Sequence, residues 1–134
     1  MILDSSSNIS LSSGEPVAII DRMTPTNTMR RYFDTWNARD FAGFESQLAD
    51  DIDFAGPLGT ASGPHDCRRG IAGLSEIVDR VEVRAMAADG ANVITWFDMH
   101  TQAAGTLPVA NWATVDDGAI RRVRVTFDPR PLLG

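Results

Sequence analysis

Residues 32–59 read YFDTWNARDFAGFESQLADDIDFAGPLG, and the order of apolar and helix-breaking residues within them decides the fold. Tyr32, Phe33 and Trp36 continue a spacing that begins at Met29. Positions i, i+3, i+4 and i+7 form the apolar stripe of an amphipathic helix. Thr24-Pro25 marks its start, a capping residue followed by proline at the first helical position. The helix breaks at Asn37 to Asp40. Asp40 is placed to cap a second short helix whose inward residues are Phe41, Phe44 and Leu48. Asp50-Asp51 ends that helix, and Ile52, Phe54 and Gly56 then share one face of a short strand. Pro57-Leu58-Gly59 turns the chain.

Downstream, a third helix is expected from about Asp66 to Asp79, with Cys67, Ile71, Leu74 and Val78 as its stripe. Gly70 and Gly73 weaken it locally, so packing against a neighbour has to support it. From Val81 the pattern changes to strands joined by turns. Asp89-Gly90 and Asp116-Asp117-Gly118 are hairpin signals, which places strands near 81–88, 91–101, 106–114 and 119–128. Three helices followed by an antiparallel meander is an α+β order. A sheet that curls around a helix leaves a pocket between them, a common place for a ligand. Upstream, Ser5-Ser6-Ser7 and Ser12-Ser13-Gly14 belong to a polar tract. Residues 1–23 are therefore read as a partly flexible extension, with Val17 to Met23 a short helix or strand, and residues 24–134 as the domain.

Composition narrows the function. The 134 residues make one domain, and 43% hydrophobic with 22% charged residues is ordinary for a soluble globular protein. A net charge of −6 argues against nucleic acid or an anionic membrane, both of which demand a basic face. Arg121, Arg122 and Arg124 are a local basic spot that reads as a solvated strand face. Cys67 is the only cysteine, so no intramolecular disulfide and no thiolate metal cluster can form, and its spacing places it in the core. His65 and His100 lack a ligand-spaced third residue, so no metal site is expected. Val17 to Ile20 is too short for a signal peptide or a membrane span, and a reducing, cytoplasmic setting is the default expectation.

Arg31-Tyr32, Asn37-Ala38, Asp40, Gly43, Leu48-Ala49-Asp50-Asp51 and Pro57-x-Gly59 follow, without a gap, a pattern that resembles the opening of ketosteroid isomerases. Those enzymes belong to the nuclear-transport-factor-2-like group, with SnoaL-like polyketide cyclases and limonene epoxide hydrolases. The ending, Asp117-Gly118-Ala119-Ile120 through Phe127-Asp128, is similar to the last hairpin and strand of the same group. The resemblance spans about residues 24–130. It implies a cystatin-like α+β barrel, a cone-shaped curved antiparallel sheet wrapped around three N-terminal helices. It also implies roles for particular residues. Tyr32 matches the oxyanion hydrogen-bond donor on the first helix, and Asn111 takes the place of a second donor, as a weaker acid. Gly56 falls where the isomerases keep their proton-shuttling aspartate. Val125 falls where the epoxide hydrolases keep the aspartate that activates water, and Asp98 is close to a further carboxylate of those enzymes.

In the strand Val93 to Thr101, Ile94, Trp96, Asp98 and His100 alternate onto one face and Val93, Thr95, Phe97 and Met99 onto the other. If the Asp98 face lines the pocket, desolvation raises that carboxyl's pKa and suits it to proton transfer, with His100 beside it as partner or as the base itself. The plainer alternative is a hydrogen-bonded Asp98 and a His100 at a wet strand end. Trp36, Phe54, Trp96, Val125 and Phe127 are candidates to wall a hydrophobic ligand, or plain core. His65 is given no role, and Asp128 is read as tying down the C-terminal tail. Three functions are therefore open. The first is a cofactor-independent, metal-free isomerase, cyclase or hydrolase on a small hydrophobic carbonyl compound, with Tyr32 and Asn111 polarising the oxygen and Asp98 or His100 moving the proton. The second is a small-ligand-binding module without chemistry. The third is an interaction module; a homodimer through the outer sheet face is expected under all three.

Overall fold

The computed structural model describes residues 24–133, so the expectations for residues 1–23 lie outside the described residues. Helix α1 spans Pro25–Asn37, α2 Phe41–Ser46 and α3 Pro64–Leu74, and a last turn, α4, spans Arg130–Leu133. The strands are β1 Leu48–Gly56, β2 Gly59–Ser62, β3 Val78–Asp89, β4 Asn92–Thr101, β5 Thr106–Asp116 and β6 Ala119–Thr126. They form one curved, unclosed sheet in the order β2-β1-β6-β5-β4-β3. Neighbours are antiparallel except β1 and β6, which run parallel. No helix among the described residues is long and apolar enough to cross a membrane.

Local chemistry explains the helices. The Thr24 hydroxyl accepts the Asn27 amide at 3.2 Å, and Pro25 occupies the first turn. Met29, Tyr32, Phe33 and Trp36 are all buried, as the stripe requires. At the other end the Asp40 amide bonds Thr35 O at 2.9 Å and the Arg39 amide bonds Trp36 O at 3.0 Å, the two closing bonds of a Schellman motif. Its left-handed position is filled by Arg39, at φ 56, rather than by glycine. The Arg39 guanidinium donates to Ser75 O at 3.2 Å and to Val78 O at 2.7 Å, which holds the residue there. Asp40 then caps α2 by accepting the Gly43 amide at 3.0 Å. A Cβ at position 43 would land on that carboxylate.

Two boundaries differ from the sequence reading. Leu48 opens β1 instead of closing α2, and Val78 opens β3 instead of closing α3. In both cases the residue is apolar at helical spacing but is buried just as well by a strand. Val78 pairs with Thr101 in the β3–β4 ladder, and the backbone turns after Leu74, where the Glu76 and Ile77 amides bond Gly73 O and Leu74 O. Strand β2, the four-residue hairpin partner of β1, was not anticipated; its pattern is too short to carry a period.

The core is one cluster between the helices and the inner sheet face. Phe33 packs on Phe97 with ring centroids 4.8 Å apart, and Phe97 meets Trp36 edge-on at 5.9 Å. Across the sheet, Val93, Thr95, Phe97 and Met99 of β4 stand opposite Ala113, Asn111, Val109 and Leu107 of β5, and all eight are buried.

Candidate functional site: an interior cavity with one polar point

A cavity of about 240 Å³ lies between α1, α3 and the inner faces of β1, β4, β5 and β6. Its walls include Trp36, Phe54, Ile71, Phe97, Val125 and Phe127. Polar side chains reach it at few places, and Tyr32 and Asn111 bring two of them together.

Tyr32 sits on the buried stripe of α1. Its ring is wedged between Phe33, edge-on at 4.9 Å, and Phe44 at 4.7 Å, so the hydroxyl has a set direction. Burial drives the phenol pKa well above its usual value, with the nearby Cys67 adding to the rise. The nearby Asn111 side chain opposes that shift. Tyr32 is therefore a neutral O–H donor at any ordinary pH. Asn111 stands mid-strand on β5 and is 1% exposed. Among the described residues its Oδ1 has no hydrogen-bond partner, and neither has the hydroxyl of Thr95, its direct neighbour on β4. Cys67 borders the same cavity from α3; burial first, then the Asp66 and Asp53 charges, push its thiol up to about 11. A thiol held neutral in this way is a poor nucleophile.

Trp36, Phe54, Val125 and Phe127 reach the cavity together with Tyr32 and Asn111. Asp98, His100 and Trp96 do not. Phe97 and Met99 turn inward, which sends the alternate set to the outer face of the sheet. There Trp96 is 49% exposed. Asp98 accepts the Arg84 Nε at 2.8 Å, and His100 bridges Glu82 Oε1 and Thr106 Oγ1 at 3.0 Å each. Asp98 therefore lies against a guanidinium on the wrong side of the sheet to act on anything in the cavity. The expectation that it and His100 serve as the cavity's base is corrected accordingly. The reason is physical: the two faces of β4 are nearly equal in apolarity, and pairing with β5 together with packing against α1 chose between them.

The outer cluster of Glu82, Asp98 and His100 has ligand atoms within 4.8 Å of one another, but Arg84 and Arg80 already occupy its carboxylates. The His100 hydrogen bond, then Arg84, hold the Glu82 carboxyl below its usual range. The arginines of β6 are engaged as well. Arg121 pairs with Asp51 and Asp116, Arg124 pairs with Asp53, and Arg122 lies over the Trp112 ring at 5.8 Å. At the C-terminal end, Asp128 accepts the Arg130 guanidinium at 2.7 Å and the Arg130 amide at 3.1 Å, which lowers its carboxyl to about 2.

Cys67 and Gly56 also border the cavity, although neither was among the residues expected to shape it. Cys67 was placed in the core by its helical spacing, and nothing local says that this part of the core is hollow. Gly56 was read as an absence, yet it borders the cavity, and a Cβ there would meet Val125 Cβ at 3.4 Å and the Phe54 ring at 3.5 Å, ordinary contacts. Position 56 therefore has room for a side chain.

An open curved sheet over three helices, with a cavity between them, defines a class of small α+β proteins. Residues 29–123 match the model of the SnoaL-like domain, and the chain belongs to that family. A crystal structure of a protein from Kribbella flavida is similar at 27% identity and TM-score 0.75, covering 80% of this chain and 88% of that one. A putative ketosteroid isomerase from the same organism is similar at 24% identity and TM-score 0.70, covering 78% and 77%. An epoxide hydrolase from M. tuberculosis, described as LEH-like, is similar at 20% identity and TM-score 0.69, covering 81% and 86%. The last two likenesses show the fold. No curated protein matches the chain in sequence.

Proposed function

We propose that the protein binds a compact hydrophobic molecule in the interior cavity, oriented by Tyr32 and Asn111, and that the cavity residues do not turn it over by acid–base chemistry. One observation carries this reading. Among the described residues that line the cavity there is no carboxylate and no imidazole, and the two titratable groups, Tyr32 and Cys67, are both held neutral. Proton abstraction next to a carbonyl requires a base within reach of the substrate. A ligand site needs only apolar walls and a few directional polar groups, which are present. Size supports a small occupant. A cavity of about 150 Å³ takes one benzene ring, so 240 Å³ suits one or two fused rings.

The test is calorimetric titration with tetralin, a bicyclic hydrocarbon. Saturable binding is expected in the full chain and is expected to be abolished by Val125→Trp, which fills the cavity. Equal binding by both proteins would move the ligand elsewhere and sink the reading. Turnover of a small ketone that is lost in Asp98→Asn would restore the catalytic alternative.

A second surface supports self-association. Ile94, Trp96 and Trp112 are 50%, 49% and 43% exposed, and the β4–β5 register brings Ile94 directly opposite Trp112 on the outer sheet face. A homodimer through this face would cover them, and Trp96→Glu is expected to leave a monomer in sedimentation equilibrium.

A further inference from the structure

We infer that an apolar ligand enters the cavity through a mouth between the β1–β2 turn and α3, and that Gly70, by lacking a side chain, keeps this mouth open. The inference deepens the ligand-binding reading and rests on it.

Exposure locates the mouth. Among the described residues that line the cavity, the exposed ones fall in two short segments. One is the turn Pro57, Leu58, Gly59 and Thr60, and the other is Gly70 in the middle of α3. Solvent therefore meets the cavity between these two lips. Leu58, a large apolar side chain 49% exposed, stands on the first of them. The second follows from the pattern of α3. Its cavity-lining stripe is Cys67, Ile71 and Leu74, and position 70 belongs to the same face, three residues after Cys67 and four before Leu74. An apolar side chain would suit that place. Glycine instead weakens the helix, because it gives up the most backbone freedom on folding. Close packing does not account for it, since a Cβ at position 70 would meet nothing within 4 Å among the described residues. The same is true at Gly73, so crowding excludes a side chain at neither position. The cavity sets the two apart: Gly70 borders it and Gly73 does not. A long apolar side chain at position 70 would fill open space at the rim and narrow the way in.

The test reads how fast tetralin enters and leaves the full chain, from NMR exchange between free and bound ligand combined with the calorimetric dissociation constant. In Gly70→Leu the association and dissociation rates are each expected to fall at least about tenfold, because a narrower mouth raises the barrier in both directions alike. Gly73→Leu, the same substitution on the same helix but away from the cavity, is expected to keep the parent's rates. Unchanged rates in Gly70→Leu would overturn the inference and leave the cavity reading intact. So would an equal slowing in Gly73→Leu, which would come from stiffening of α3. A thermal midpoint of Gly70→Leu below the parent's would reveal crowding at position 70 and give the glycine a structural reason instead. Leu58→Ala reads the other lip: faster exchange is expected, and no change would overturn the placement of the mouth. Failure of tetralin to bind the unaltered protein would remove the ligand-binding reading and this inference with it.

Discussion

Thr95 carries a hydroxyl into the core with no partner for its oxygen among the described residues. Valine has the same shape without the hydroxyl, so Thr95→Val is expected to stabilise the protein by about 1 kcal/mol. A higher urea midpoint at unchanged slope would show it; a lower midpoint would mean the hydroxyl is satisfied. Gly56 invites the opposite experiment. Gly56→Asp would put a carboxyl beside Val125 and Phe54, in surroundings that raise its pKa. If position 56 corresponds to the isomerase base, the variant should isomerise a β,γ-unsaturated ketone that the parent leaves alone; no gain would undo that correspondence. Tyr32 and Asn111 reached the cavity from two distant parts of the chain, and both were legible because the family pattern fixes their places. Asp98 was misplaced because its claim rested on a choice between two strand faces of nearly equal apolarity.

At the scale of elements, the turn from α1 into α2 and the edge of β3 are stitched together by side chains. Asn37 donates to Val81 O at 2.9 Å and accepts the Val81 amide at 2.8 Å, so an asparagine pairs with the edge strand as another strand would. Asn37→Ala is expected to cost about 1–2 kcal/mol for the two bonds, read from thermal or urea unfolding. Arg39 makes a sharper case. Its left-handed backbone is unfavourable for any residue with a Cβ, and only its two bonds to Ser75 O and Val78 O offset the strain. Arg39→Ala should therefore be less stable than Arg39→Gly by about 1 kcal/mol, the reverse of the usual order within a helix. Caps and stripes such as Thr24-Pro25 and Met29 to Trp36 were readable because they are local. The ends of α2 and α3 were not, since Leu48 and Val78 suit either the helix or the strand that follows.

Across the whole molecule, the buried groups predict an alkaline weakness. Cys67 is raised from 9.0 to about 11, and Tyr32 is raised above its ordinary 10.0. In both cases the folded state keeps a proton that the unfolded chain releases first, so stability falls as pH climbs above the unfolded value. Unfolding midpoints should hold from neutral pH up to 9.0 and fall above it, and Cys67→Ala should remove the first part of the drop. By itself the amino-acid sequence determined the helix order and the meander, because capping and periodicity are carried by residues close along the chain. The tertiary structure alone decided which face of β4 looks inward. Ile94 and Trp96 are as apolar as Val93 and Phe97, so local preference could not choose. Packing of Phe97 against Phe33 and the pairing of β4 with β5 chose instead, and left the stretch from Tyr32 to Gly59 around a cavity with a polar point and, among the described residues, no carboxylate or imidazole in its walls.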